Sequence, residues 1–124
     1  MEPIHLRLDP FRLISVANER LNWRLKARIV RGQRLAVQIA WAQAGKPRIV
    51  PPADVLITRV APCKLDTDNM VSAAKALRDA IAELAGVDDR HDDRVSYSYA
   101  QRKDPTPRTY AVEIDIVARG GASG

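Results

Sequence analysis

Aspartates crowd residues 66–93 in a pattern that could hold a divalent cation. Asp66 and Asp68 flank Thr67, and Asp88, Asp89, Asp92 and Asp93 cluster just after Gly86. Magnesium prefers hard oxygen ligands and is usually held by a few carboxylates together with water. Such an ion can activate water and stabilise charge on a scissile phosphate. Carboxylates gathered in one place repel unless a cation or solvent intervenes. The competing reading is ordinary: Asp66 or Asp68 caps a helix N-terminus, and residues 88–93 form a wet loop. Asp68, Lys75 and Asp79 are spaced by seven and four residues, which puts them on one helical face. A lysine beside a metal-binding carboxylate can contact a phosphate or developing transition-state charge. Alternatively, Lys75 and Asp79 form an exposed ion pair worth roughly a few tenths of a kcal/mol. His91 offers an acid or base, although a lone loop histidine is more often simply exposed.

The elements that must position these groups follow from periodicity. Met70, Ala74, Leu77, Ile81 and Leu84 repeat every three or four positions and predict one helix over 68–85, closed by Gly86. Its ends lie about 27 Å apart, so the two acidic groups meet only if another part of the fold unites them. A strand starting near Val95 and running antiparallel to the helix leaves the second group at the far end. Residues 55–60 read as a strand halted by Pro62. Alternation of Val95, Tyr97 and Tyr99, and of Tyr110, Val112, Ile114 and Ile116, predicts two more strands, joined through 103–107 by a turn or hairpin loop. Residues 3–8 form a short first strand.

Between that strand and Gly45, residues 22–44 show helical spacing. Trp23, Ala27, Val30, Val37, Trp41 and Ala44 make the expected core stripe. Arg24, Arg28, Arg31, Arg34 and Gln38 make a basic ridge on another face, which an ordinary solvated helix would also show. The order β-α-β-α-β-β predicts a single α/β domain of the α+β type, a mixed sheet packed by two helices. It spans 1–119, with 120–124 as a frayed, glycine-rich tail.

The chain of 124 residues has the size of one domain, and its net charge of +5 is unevenly placed. Residues 1–50 hold ten arginines and lysines against Glu2, Asp9 and Glu19. A basic surface of that kind suits a phosphate backbone. Cys63, the single cysteine, allows no internal disulfide and no zinc knuckle, and is expected to be a small buried side chain. No apolar run approaches a membrane span, and the first residues do not resemble a signal peptide. The expected setting is cytoplasmic, with no membrane partner.

The stretch Lys64-Leu65-Asp66-Thr67-Asp68-Asn69-Met70, then Lys75-Ala76-Leu77-Arg78-Asp79, then Gly86-Val87-Asp88-Asp89 resembles the RusA family of Holliday junction resolvases. An Asp-x-Asp-Asn motif opening a helix, a lysine and an aspartate four apart, and a following Asp-Asp pair are together far more specific than any one alone. Ser15, Asn18 and Trp23 fit the Ser-x-x-Asn segment and Trp-containing basic helix of phage and prophage members. The similarity covers about residues 13–117. It implies a RusA-like fold and a homodimer that cuts four-way or otherwise branched DNA by phosphodiester hydrolysis, encoded by a phage or prophage and acting in a bacterial cytoplasm.

The resemblance also implies roles. Asp66, Asp68 and Asp89 would hold Mg²⁺, or Mn²⁺ in its place, and Lys75 would act near the phosphate. Asn69 matches the motif asparagine, while Asp79 and Asp88 are secondary candidates. Lys75 departs from the pattern: it follows Asp68 by seven residues rather than four, which keeps the face but shifts its height by about 5 Å. Two acidic pairs stand after the helix, so Asp92 or Asp93 is an alternative third ligand. Arg24, Arg28, Arg31, Arg34 and Lys64 would hold DNA phosphates. The rival readings are a non-catalytic DNA-binding dimer of the same fold and a protein-interaction module whose basic helix is merely soluble surface.

Overall fold

The computed structural model describes residues 1–14, 22–88, 93–106 and 109–119. Strand β1 (Ile4–Leu8) buries Ile4, Leu6 and Leu8 and turns His5 and Arg7 outward, as the two-residue period of a pleated strand requires. The same period sorts β3 (Val95–Lys103), most of β4 (Ala111–Ala118) and the first half of β2 (Ala53–Ala61), whose residues from Ile57 onward are all buried. Val55, Ile57, Val112, Ile114 and Ile116 are almost fully buried, and Tyr97 and Tyr99 pack against the same core.

The four strands are ordered β1-β4-β2-β3. β4 lies antiparallel between β1 and β2, with Ile116 level with both Ile4 and Val55. β2 and β3 run parallel, from Ala53 beside Val95 to Ala61 beside Lys103. A parallel pair cannot be joined by a tight turn and needs a crossover, which helices supply here. The hairpin expectation for the last two strands is therefore corrected. β3 takes the outer edge of β2, and the chain crosses β2 to place β4 on its other side.

Helix α1 (Trp23–Gln43) begins where Asn22 Oδ1 accepts a hydrogen bond from Leu25 N at 2.9 Å, satisfying one orphan donor of the first turn. Gln33, Val37 and Ala40 form its buried row, and α1 packs on β1 and on the second helix of the crossover. The expected core stripe is thus rotated. Trp23 is 73% exposed and Ala44 lies outside the core, whereas Trp41 is half-buried with Nε1 donating to Pro47 O at 2.8 Å. Of the 21 residues of the helix, the buried ones, Gln33, Val37 and Ala40, all fall at or past its midpoint, ten or more positions beyond Trp23.

The predicted second helix is two, α2 (Thr67–Ala73) and α3 (Lys75–Ala85), broken at Ala74. This corrects the two-helix expectation to three. Met70, Ala73, Ala74, Leu77, Ala80 and Ile81 still line one buried row, so the break leaves the core pattern intact. Arg78 secures it: Nη1 donates to Val71 O and to Tyr99 Oη, both at 2.8 Å, and so satisfies a carbonyl of the last turn of α2. Gly86, at φ +72°, ends α3 in the left-handed conformation that glycine adopts without a Cβ penalty. All three helices cover one sheet face. The other face carries Glu113, held between Arg7 and Arg102, together with exposed Leu56 and Val117 and buried Thr58 and Val60.

Candidate metal and nucleic-acid site

Asp66 and Asp68 stand where the chain leaves β2 and starts α2. Asp66 occupies the N-cap position with φ −58° and ψ 150°, but its side chain makes no capping bond. Asp68 is in the first turn, and both carboxylates are exposed. Side-chain capping therefore does not account for Asp66. Asn69, next in the helix, is half-buried, and Lys64 is exposed two residues before Asp66.

The loop carrying this pair is tied to the sheet. Gln101 Nε2 donates to Leu65 O and Gln101 Oε1 accepts from Leu65 N, each at 2.8 Å. Arg59 Nη1 donates to the same Oε1 at 3.2 Å and to Cys63 O. Burial pushes the Arg59 guanidinium below its ordinary pKa; Tyr110 acts against that shift and the like charge of Arg12 adds to it. Cys63 itself is exposed, which corrects the expectation of a buried thiol: the loop turns it outward while its carbonyl faces Arg59. A groove of about 340 Å³ runs beside the loop, lined by Lys64, Leu65, Thr67, Met70, Tyr99, Ala100 and Gln101.

Arg59 and Gln101 were not among the residues expected from sequence. A signal for both was present. Arg59 shares the inward phase of Val55 and Ile57, and Gln101 shares that of Val95, Tyr97 and Tyr99. A cation and an amide at core positions mark a polar network.

The remaining candidates fall elsewhere. Lys75 Nζ pairs with Asp79 Oδ2 at 3.0 Å, the ordinary i,i+4 ion pair. Both line a second groove, facing Ile14, Val30 and Gln33 of the α1 side. Asp88 and Asp93 are exposed between the end of α3 and the start of β3. Because β2 and β3 are parallel, Asp66 and Asp68 follow the last residue of one strand while Asp88 and Asp93 precede the first residue of the other. Asp66 and Asp68 thus lie at one end of the crossover unit and Asp88 and Asp93 at the other. Asp89, His91 and Asp92, like Ser15 and Asn18, lie outside the described residues.

Among the described residues, no three His, Cys, Asp or Glu side chains come together as a metal-holding group. In donor type alone, Asp66 and Asp68 suit the smallest magnesium set, in which one or two carboxylates act with water and a substrate phosphate. Arg24, Arg28 and Arg31 are exposed along α1, and Arg24 stacks on Trp23 at 5.3 Å from the ring centre. Arg34 is bound to Glu83 of α3, so it serves helix packing as well as charge. Among the described residues, no helix is long and apolar enough to cross a membrane.

The fold and site together define a small α+β domain with a mixed four-stranded sheet, a basic helix and an anchored acidic loop. No protein-family model matches the chain, and no curated protein matches it.

Proposed function

We propose that the protein is a metal-dependent endodeoxyribonuclease that cuts four-way or other branched DNA as a homodimer, in the manner of the RusA-like resolvases its motif resembles. The observation that carries this reading is the exposed pair at the start of α2: Asp66, not spent on a side-chain cap and directly following a loop residue tied to the sheet, and Asp68 in the first turn. A Mg²⁺ or Mn²⁺ ion bound there would supply an activated water and charge neutralisation at a phosphate. The chain's own part is to hold the two carboxylates in place and bring DNA to them. Lys64 offers a cation at the groove, and Arg24, Arg28 and Arg31 offer phosphate contacts along α1. Trp23 presents a ring on which an unpaired base can stack.

The placement of Asp88 and Asp93 at the far end of the crossover from Asp66 and Asp68 gives the proposed dimer a further task. Asp89, or its alternatives Asp88, Asp92 and Asp93, serves the same ion as Asp66 and Asp68 when it comes from the partner subunit. A two-fold axis then creates two equivalent sites, suited to paired cuts in strands of like polarity. Lys75, tied to Asp79, acts on DNA only after releasing that exposed pair, which costs little. The setting consistent with this reading is the cytoplasm of a bacterium hosting the phage or prophage.

Incubation with a labelled four-way junction tests the reading. Paired, symmetric nicks should appear with magnesium and vanish without it. Asp68→Asn should bind the junction normally and leave it uncut; unchanged cleavage by that variant removes the site assignment. A non-catalytic DNA-binding dimer is the second reading, favoured by the lack of a three-ligand group among the described residues. It predicts salt-sensitive junction binding with no product at any Mg²⁺ or Mn²⁺ concentration.

A further inference from the structure

Residues 62–66 leave β2 and reach α2 without joining the ladder, so backbone pairing within the sheet does not fix Asp66. Side chains do it instead. Gln101 lies level with Arg59 in the paired strands, and its amide gives Leu65 the two bonds that a neighbouring strand would give, one donated and one accepted. Oε1 also receives Arg59 Nη1, which decides the orientation of the amide. The flipped amide would set its NH₂ against both the guanidinium and the Leu65 N–H. Arg59 takes a second hold on the loop at Cys63 O, so one buried cation fixes both the loop backbone and the residue that clamps it.

This arrangement is an expensive way to anchor a loop. Arg59 is only 7% exposed, and among the described residues its hydrogen-bond acceptors are neutral oxygens. Withdrawing a charge from water costs stability that a packed apolar side chain would not. We infer that Arg59 and Gln101 are positioning residues that preorganise Asp66 and Asp68 for a divalent cation, an inference that rests on the metal-dependent reading above. Ligand sets gain affinity when outer partners fix their orientation, and loss of such a partner typically weakens metal binding about 10–100-fold.

The test uses Gln101→Met, which keeps the length of the side chain and removes its hydrogen bonds, and Arg59→Lys, which keeps the charge and loses the fork. Mn²⁺ affinity, amide exchange at Leu65, thermal midpoint and junction affinity without metal are read beside cleavage. Both variants should weaken Mn²⁺ binding and raise the Mg²⁺ needed for half-maximal cleavage, each by about 10–100-fold. Leu65 exchange should accelerate in Gln101→Met, while metal-free junction binding stays at the wild-type value. Gln101→Glu keeps the acceptor for Leu65 N and Arg59 and should recover part of the lost affinity.

Wild-type Mn²⁺ affinity in the folded variants overturns the inference, as does unchanged Leu65 exchange in Gln101→Met. Should Gln101→Met not fold, Arg59→Lys decides on Mn²⁺ affinity alone. A wild-type protein that binds Mn²⁺ yet leaves every junction intact defeats the nuclease reading, while the variants' loss of Mn²⁺ affinity still upholds the positioning role. A wild-type protein that binds no Mn²⁺ defeats both.

Discussion

Glu113, Asp54 and Asp115 each face a cationic or histidine partner across the sheet, at Arg102, Arg119 and His5 respectively. Among the described residues, Asp66 and Asp68 have no ion-pair partner, and this difference separates carboxylates that stabilise the fold from those available to a ligand. Asp68→Asn should therefore change folding stability by no more than about 0.5 kcal/mol while abolishing metal-dependent cleavage, as thermal unfolding and the junction assay would show. Glu113 should behave in the opposite way. The hydrogen bond from Arg102 holds its carboxyl below the usual value, helped by the charges of Arg102, Arg7 and His5 and opposed by burial. A folded pKa below the unfolded one means that the unfolded chain takes up the proton first. The stabilisation is full above the unfolded value, near 4.3, and is lost as pH falls through the lower folded value. Glu113→Gln should flatten the acid limb of the stability curve, with thermal midpoints at pH 7 and pH 3 as the check.

At the scale of elements, α1 divides its labour by face. Gln33, Val37 and Ala40 hold it to the core, while Arg24, Arg28 and Arg31 point to solvent. Replacing those three arginines with alanine should weaken junction binding and reduce the slope of log K against log salt by about 0.9 for each phosphate no longer neutralised. A titration across ionic strengths reads this directly, and a slope equal to wild type assigns the ridge to solvation alone. The α2–α3 crossover is the structural counterpart. Leu77 and Ile81 are fully buried where the crossover crosses the sheet, and Leu77→Ala should cost about 2–5 kcal/mol, measured by denaturant unfolding.

On the scale of the whole molecule, the parallel β2–β3 pair sets Asp66 and Asp68 after the end of one strand and Asp88 and Asp93 before the start of the other, so the proposed site predicts that a second copy supplies the further ligand. Subunit exchange tests this. Asp68→Asn and Asp89→Asn should each be inactive alone, yet an equal mixture should recover about a quarter of the wild-type sites. Half the dimers are then mixed, and one of the two sites in each carries no substitution. A mixture as inactive as its parents would place all the ligands in one chain.

Local signals in the sequence determined which residues make strands and helices, since the two-residue and 3.6-residue periods follow directly from backbone geometry. The acidic loop and the basic ridge were equally legible, because charge and spacing are properties of the chain itself. Tertiary packing decided the rest. It rotated the buried face of α1 away from Trp23, broke the predicted helix at Ala74, and placed β4 across β2 from β3. It also turned Arg59 and Gln101, ordinary as letters, into a clamp on Leu65. Each of these depends on pairings between residues far apart in the chain, which local periodicity does not encode. The placement of Asp66 and Asp68 away from Asp88 and Asp93 is of that kind as well: it is set by strand direction, and strand direction is a property of the sheet.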